Sequence, residues 1–201
     1  MPLVVAKDYG IVLLAAGKSS RLGRPKQFLI FEETSLVKKA AKTALKITNK
    51  VMVVTGAFKE KVEEELNGLP LLFTYNKDFE EGIASSIRNG LSSLMKNFDD
   101  LKGVIFIVCD QPYLNSSLLN RLIHKTAETN SAIIGAVYAQ TIGTPVLFTR
   151  KLFPMLLELK GDNGAKKLIK ENISEVCTVD FPQGEIDIDT LDDFELIKKR
   201  S

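Results

Sequence analysis

Histidine and cysteine are scarce in this 201-residue chain, which holds one histidine, His124, and two cysteines, Cys109 and Cys177. The two thiols form no C-x-x-C and no zinc-ligand spacing, so a disulfide scaffold or a zinc module is excluded and a reduced compartment is expected. His124 falls within Leu118–Glu128, a stretch with helical spacing, where a lone histidine is ordinarily a surface residue. No charge sign dominates: 27 Lys and Arg face 25 Asp and Glu, a formal charge of +2. That balance gives no general reason to expect nucleic acid or a membrane surface as partner. The longest apolar runs are strand-sized, far short of a bilayer span. Met1–Asp8 shows no charged segment followed by a long apolar one, so no signal peptide is expected and the cytoplasm is the expected location. Linkers, repeats and low-complexity segments are also missing. The length fits one domain over residues 1–201, large enough for a substantial core.

What is present is a conspicuous loop. Tyr9-Gly-Ile-Val-Leu-Leu-Ala15 reads as a buried first strand and runs into Leu14-Ala-Ala-Gly-Lys-Ser-Ser-Arg-Leu-Gly-Arg-Pro-Lys26. Small residues let a ligand approach the backbone, and unpaired N–H groups there point at negative charge. Arg21 and Lys26 add fixed positive charge. A Walker A loop requires Gly, four residues, then Gly-Lys-Ser/Thr, yet Gly23 is followed by Arg24-Pro25. The G-x-G-x-x-G of a dinucleotide fold is missing too, and Pro25 disfavours helix at Arg24. The loop is therefore expected to stay open and wrap an anion.

Together with later segments, the pattern L-A-A-G-x-S-x-R-x-G-x-P-K-Q resembles the signature of nucleotidyltransferases of the molybdenum cofactor cytidylyl/guanylyltransferase, or MobA-like, type. The segments are Gly82–Gly90, Cys109-Asp-Gln-Pro112, Gly143–Phe148, Gly161–Ala165 and Asp187-Ile-Asp-Thr190, in the family's order and across nearly the whole chain. The Ala-Ala-Gly spelling resembles the cytidylyl branch more than the guanylyl branch.

Strand-like and helix-like runs alternate. Helical spacing marks Ser35–Lys46, Lys59–Leu66, Ala84–Met95, Leu118–Glu128, Leu152–Leu159, Ala165–Glu171 and Leu191–Lys199. Strands are expected at Val51–Thr55, Leu71–Tyr75, Val104–Val108, Ala132–Val137, Val146–Phe148 and Val176–Val179. Asn115 or Ser116 is placed to cap the helix that follows. This order predicts an α/β fold, a three-layer sandwich around a mostly parallel, Rossmann-like twisted sheet. The resemblance implies the nucleotide-diphospho-sugar transferase type of that fold. In such sheets ligands bind beyond the carboxyl ends of the strands, where the first loop and Asp110 both lie.

Asp110, at the exit of a central strand, suits Mg²⁺ held against phosphate oxygens, because magnesium takes one or two carboxylates plus phosphates and waters. A plain Asp-Gln-Pro turn is the competing explanation. Gly82 would let a base approach the backbone. Ser85 and Ser86 offer hydroxyls that could bond a pyrimidine edge or cap the helix. Arg88 is expected in a surface ion pair. Gly143-Thr-Pro145 reads as a turn before a strand. Gly161–Ala165 opens a helix whose start could bind an anion or be capped by Asp162 or Asn163. Lys166 and Lys167 could draw a phosphorylated acceptor or form a solvated face.

The resemblance implies further roles. The nucleotide would contact Leu14, Ala15, Ala16, Gly17, Ser19, Arg21, Lys26, Gly82, Ser85 and Ser86, with the Gly82 segment recognising the base. Catalysis would fall to Arg21, Lys26 and Asp110. Asp189, in preference to Asp187, would join Asp110 on the metal, although acids there also suit a helix N-terminus. CTP would donate CMP to the terminal phosphate of molybdopterin or molybdenum cofactor, releasing pyrophosphate. A molybdoenzyme or its maturation factor would be a further partner. The alternatives are a GTP-using enzyme, another acceptor such as a sugar phosphate or methylerythritol phosphate, and a non-catalytic cofactor-delivery protein.

Overall fold

The structure, a computed structural model, describes residues 6–18, 25–162 and 164–186. Its elements run β1 (Tyr9–Ala15), β2 (Ile30–Phe31), β3 (Thr34–Ser35), α1 (Leu36–Leu45), β4 (Val51–Thr55), α2 (Lys59–Glu65), β5 (Leu72–Tyr75), α3 (Ile83–Asn97), β6 (Gly103–Val108), α4 (Ser116–Thr129), β7 (Ile133–Tyr138), β8 (Thr141–Thr149), α5 (Phe153–Leu157), α6 (Lys166–Glu171) and β9 (Val176–Asp180). The expected closing helix at Leu191–Lys199 lies outside the described residues.

The main sheet has seven strands in the order β5-β4-β1-β6-β8-β7-β9. All neighbours are parallel except at β8, which runs antiparallel to β6 on one side and to β7 on the other. Burial on both faces explains why β1, β4 and β6 are almost continuously apolar rather than alternating. Their side chains still divide by parity. Ile11, Leu13, Val53 and Ile105 pack with α1, α2 and α4 on one face. Val12, Met52, Val54 and Phe106 pack with α3, α5 and α6 on the other. The expected three-layer architecture results.

Local chemistry sets the element ends. Ser35 caps α1 by accepting from the Lys38 N–H at 3.3 Å. Asn115, rather than Ser116, caps α4 by accepting from Leu118 N–H at 3.0 Å. Gly90 is where α3 presses on the sheet: a Cβ there would lie 2.5 Å from Val12 Cγ1 and 2.7 Å from Val54 Cγ2.

Two strand pairings depart from the sequence reading. Thr141–Pro145 belongs to β8, so Gly143-Thr-Pro145 is not a turn before the strand but an irregular stretch inside it. The β7–β8 register passes from Gly135↔Val146 to Ala136↔Gly143, leaving Thr144 and Pro145 unpaired. A bulge accommodates a proline, which has no N–H to give the ladder. The actual turn is Ala139-Gln140, both with positive φ. The β2–β3 hairpin was not anticipated; its turn is Glu32-Glu33, again both at positive φ.

Candidate active site

β1 connects through α1 to β4 on one side, while β6 lies on its other side. β1 and β6 are neighbours that end side by side, and a crevice opens beyond their carboxyl ends. A cavity of about 240 Å³ occupies it. Leu14, Ala15, Ala16 and Gly17 form one wall as β1 ends, and Val108, Cys109 and Asp110 form another as β6 ends. Gly82, Ile83 and Ser86 bring the first turn of α3 to the same space, and with it the positive end of the helix dipole. Lys26 and Gln27, from a short 3₁₀ turn at Lys26–Phe28, close the remaining side.

The charges in this cavity meet directly. Lys26 Nζ lies 2.5 Å from Asp110 Oδ2, with both side chains about one-fifth exposed. Asp110 already faces a cation, and its carboxylate is of the hard-oxygen type that Mg²⁺ takes. The charge on Asp110 therefore serves as more than the start of an Asp-Gln-Pro turn. Next to it, burial pushes the Cys109 thiol up to about 12, reinforced by the Asp110 charge and opposed by Lys26. A thiol held neutral in this way is a packing group, not a nucleophile. At the mouth, Lys18 pairs with Glu80 and sits over the Phe79 ring, 5.5 Å from its centroid.

Of the expected nucleotide contacts, Leu14, Ala15, Ala16, Gly17, Lys26, Gly82 and Ser86 line this one cavity, as does Asp110. Ser85 does not. Its hydroxyl donates to the Gly82 carbonyl at 2.8 Å and accepts from Asn76 Nδ2 at 2.8 Å, and the residue borders a separate cavity with Asn76, Asp78 and Arg88. Ser86 accepts from the same amide at 3.0 Å. Neither serine caps α3, whose N-cap is Gly82. Gly82, at φ 116°, also has a packing reason: a Cβ there would sit 2.1 Å from Asp162 Oδ1 and 2.8 Å from the Gly161 carbonyl. Ser19, Arg21, Asp187 and Asp189 lie outside the described residues.

Among its described residues, Gly161–Ala165 neither caps a helix nor offers a full helix N-terminus; Asn163 lies outside the described residues. α6 starts only at Lys166, has six residues, and its N-cap is Ala165 with no side-chain bond. Glu81 instead draws the segment onto α3 by accepting from Gly161 N–H at 3.5 Å. Glu81 also pairs with Arg88 at 2.6 Å, the ion pair expected of that arginine. Lys166 and Lys167 of α6 are both exposed; Lys167 pairs with Glu171 at 3.7 Å on the surface, and Lys166 takes a different setting. It borders a second cavity of about 270 Å³, which shares Leu14, Ile83 and Val108 with the first. Tyr138, Ile142 and Thr144 form its far wall. His124 belongs to neither; it lies in a groove between α4 and β9.

Three amides went unread in the sequence. Gln27, buried, donates to the Gly17 carbonyl at 2.7 Å and so ties the β1 loop to the Lys26 turn. Its position directly after Lys26 in the loop motif was the available signal. Asn76 serves both serines, as described. Gln111 follows Asp110 and donates to the Thr144 carbonyl at 2.9 Å, joining the β6 exit to the β8 bulge.

A mostly parallel sheet with a small-residue loop, a strand-end carboxylate and a cavity beyond two adjacent strand ends is the arrangement of an α/β protein that binds its ligand at the strand ends. Comparison with known proteins gives the particular family. Residues 11–176 match the model of the MobA-like NTP transferase domain, and the chain belongs to that family. It is 29% identical over 201 residues to the purine catabolism protein PucB of Bacillus subtilis, covering 94% of this chain and 95% of that one. The crystal structure of Rv0371c from Mycobacterium tuberculosis superposes with a TM-score of 0.79 at 26% identity, covering 96% of this chain and 99% of the other. The fold is shared with 4-diphosphocytidyl-2C-methyl-D-erythritol synthase of Anaerococcus prevotii, at a TM-score of 0.74, 15% identity and coverage of 96% of both chains. Family and fold together support nucleotidyltransferase activity on a nucleoside triphosphate.

Proposed function

We propose that this chain transfers CMP from CTP to the terminal phosphate of a molybdopterin-type acceptor. The observation that carries the reading is the convergence of the β1 loop, Lys26 and Asp110 on one cavity. An acceptor phosphate oxygen would form a bond to the α-phosphorus while the bond to the bridging oxygen breaks, and pyrophosphate would leave with the electron pair. A phosphate nucleophile is already anionic, so no strong base is required, which agrees with the absence of His124 from the site. Lys26, with Arg21 by resemblance, would stabilise charge on the phosphates. Asp110 would hold Mg²⁺, with Asp189 as the second carboxylate by resemblance. When bound, the metal would supply charge neutralisation at the phosphates.

Two features support cytosine as the base: the Ala-Ala-Gly spelling of the β1 loop and the Ser86 hydroxyl on the cavity wall. The second cavity, with Lys166 at its edge, is the place for the acceptor. A role in the cytoplasm, in service of a molybdoenzyme, follows from the same reading.

The test is pyrophosphate release by the purified chain, with magnesium, for four triphosphates against molybdopterin, a sugar phosphate and methylerythritol phosphate. CTP with molybdopterin should be the productive pair. Asp110→Asn should lose magnesium-dependent turnover while retaining the wild-type circular dichroism. A variant as active as wild type would sink the metal assignment. Release with GTP, or with another acceptor, would redirect the substrate while keeping the chemistry. Cofactor binding without pyrophosphate release from any triphosphate would favour a delivery protein.

A further inference from the structure

Lys26 and Asp110 approach the cavity from separate elements, and the backbone of each is anchored. The Lys26 turn is closed by Phe28 N–H to the Pro25 carbonyl at 3.2 Å and Leu29 N–H to the Lys26 carbonyl at 3.1 Å. Gln27 locks it further onto Gly17. Asp110 leaves β6 directly, two residues after Val108. The lysine side chain spans the gap, and its ammonium sits on the carboxylate, 2.5 Å from Oδ2. A hard divalent cation held by that carboxylate would need the same place. Two cations within a few ångströms of one another, in a partly buried cleft, repel strongly.

Asp110 is the sole carboxylate among the described residues lining this cavity. Lys26 offsets the charge of Asp110, so a free metal ion is drawn to that carboxylate less than it would be without the lysine. A lysine, unlike an arginine fork, is a compact charge on a flexible stem and can swing to a new anion without moving its backbone. A triphosphate provides that anion in the same cleft.

Resting on the assignment of Asp110 as the metal carboxylate, we propose that Lys26 is a stand-in cation. It keeps free divalent metal off Asp110 and yields the carboxylate only when phosphate oxygens arrive to receive its ammonium. The site thereby selects the metal–triphosphate complex over metal alone, and metal enters with the nucleotide. Lys26 is on this account a specificity-determining residue as well as a charge stabiliser.

The experiment is Mn²⁺ binding to the full chain, followed by electron paramagnetic resonance at fixed ionic strength. It is run with and without the non-reacting analogue cytidine 5′-[α,β-methylene]triphosphate. Wild type should bind Mn²⁺ on the order of tenfold more weakly without the analogue than with it. Lys26→Gln should raise the nucleotide-free affinity by about tenfold, the scale set by removing a like charge beside the metal. Lys26→Arg, which keeps the charge, should stay near wild type. So should Lys102→Gln, which removes an equal charge from the ion pair with Asp8. Nucleotide-free affinity unchanged in Lys26→Gln, or raised equally in Lys102→Gln, overturns the stand-in role and leaves the Asp110 assignment intact. Should Lys26→Gln fail to fold, the wild-type pair of measurements still decides: equal affinity with and without the analogue overturns the proposal. Absence of Mn²⁺ binding under all conditions overturns both readings.

Discussion

Cys109 and Cys177 differ only in surroundings, and that difference is measurable. Burial raises the Cys109 thiol from its ordinary 9 to about 12. Cys177 is half-buried, and hydroxyls of Ser131 and Thr129 lower its pKa. Iodoacetamide at neutral pH should therefore label Cys177 first, with Cys109 modified only on unfolding, as peptide mass spectrometry would reveal. The sign for stability follows. Between 9 and 12 the unfolded chain has released the Cys109 proton and the native chain has not, so stability falls as the pH rises through that window. Cys109→Ala should flatten the alkaline decline in Tm. Gln27 gives a second prediction at this scale. Gln27→Met keeps the size but removes the donor to the Gly17 carbonyl, at a cost of about 1–2 kcal/mol, or roughly five- to thirtyfold, in triphosphate affinity. Isothermal titration against CTP checks it; unchanged affinity would mean the bond only packs the loop. Asp110 was readable because a charge at the exit of an apolar strand stands out, and Lys26 because it falls within the loop motif. Gln27, Asn76 and Gln111 were not, because an amide's role depends on which carbonyl or hydroxyl tertiary structure places opposite it.

At the scale of elements, α3 carries the most constraint. It contributes Gly82, Ile83 and Ser86 to the cavity and packs Ile87, Leu91 and Leu94 on the sheet. Gly90→Ala would force a methyl group into Val12 and Val54. The expected loss is about 1–3 kcal/mol, which in a chain of this size lowers Tm by roughly 2–4 °C per kcal/mol. Thermal unfolding checks it, and a wild-type Tm would show that α3 can lift off the sheet without cost. Helices and central strands were legible because their apolar spacing is the direct image of burial. The two hairpins were not. Their turns, Glu32-Glu33 and Ala139-Gln140, adopt positive φ without the Asn or Gly that normally advertises such a turn. Gly143-Thr-Pro145 misled in the opposite direction, since turn-type residues there serve a bulge within β8.

For the whole molecule, the site sits on a seam. β5, β4, β1 and β6 form a parallel half that supplies the β1 loop and Asp110. β8, β7 and β9 continue the sheet and, with α6, supply Tyr138, Ile142, Thr144 and Lys166 to the second cavity. Metal–nucleotide binding without the acceptor should therefore stabilise the fold. With Mg²⁺ and CTP at about a hundred times Kd, linkage gives roughly 2.7 kcal/mol and a Tm increase of several degrees. Differential scanning fluorimetry would show it. Omitting the metal should remove most of the effect, and an equal shift with CTP alone would contradict a metal-assisted site.

The reversed direction of β8 has a consequence for how such a molecule can change. Because β8 is antiparallel, its beginning rather than its end reaches the second cavity, delivered by a two-residue turn from β7. That wall is thus the arm of a hairpin, free to lengthen or shorten at Ala139-Gln140 without disturbing any strand that carries Asp110. On the proposed reading of the two cavities, acceptor preference would drift by remodelling one fingertip, while the residues assigned to the phosphates would be inherited unaltered.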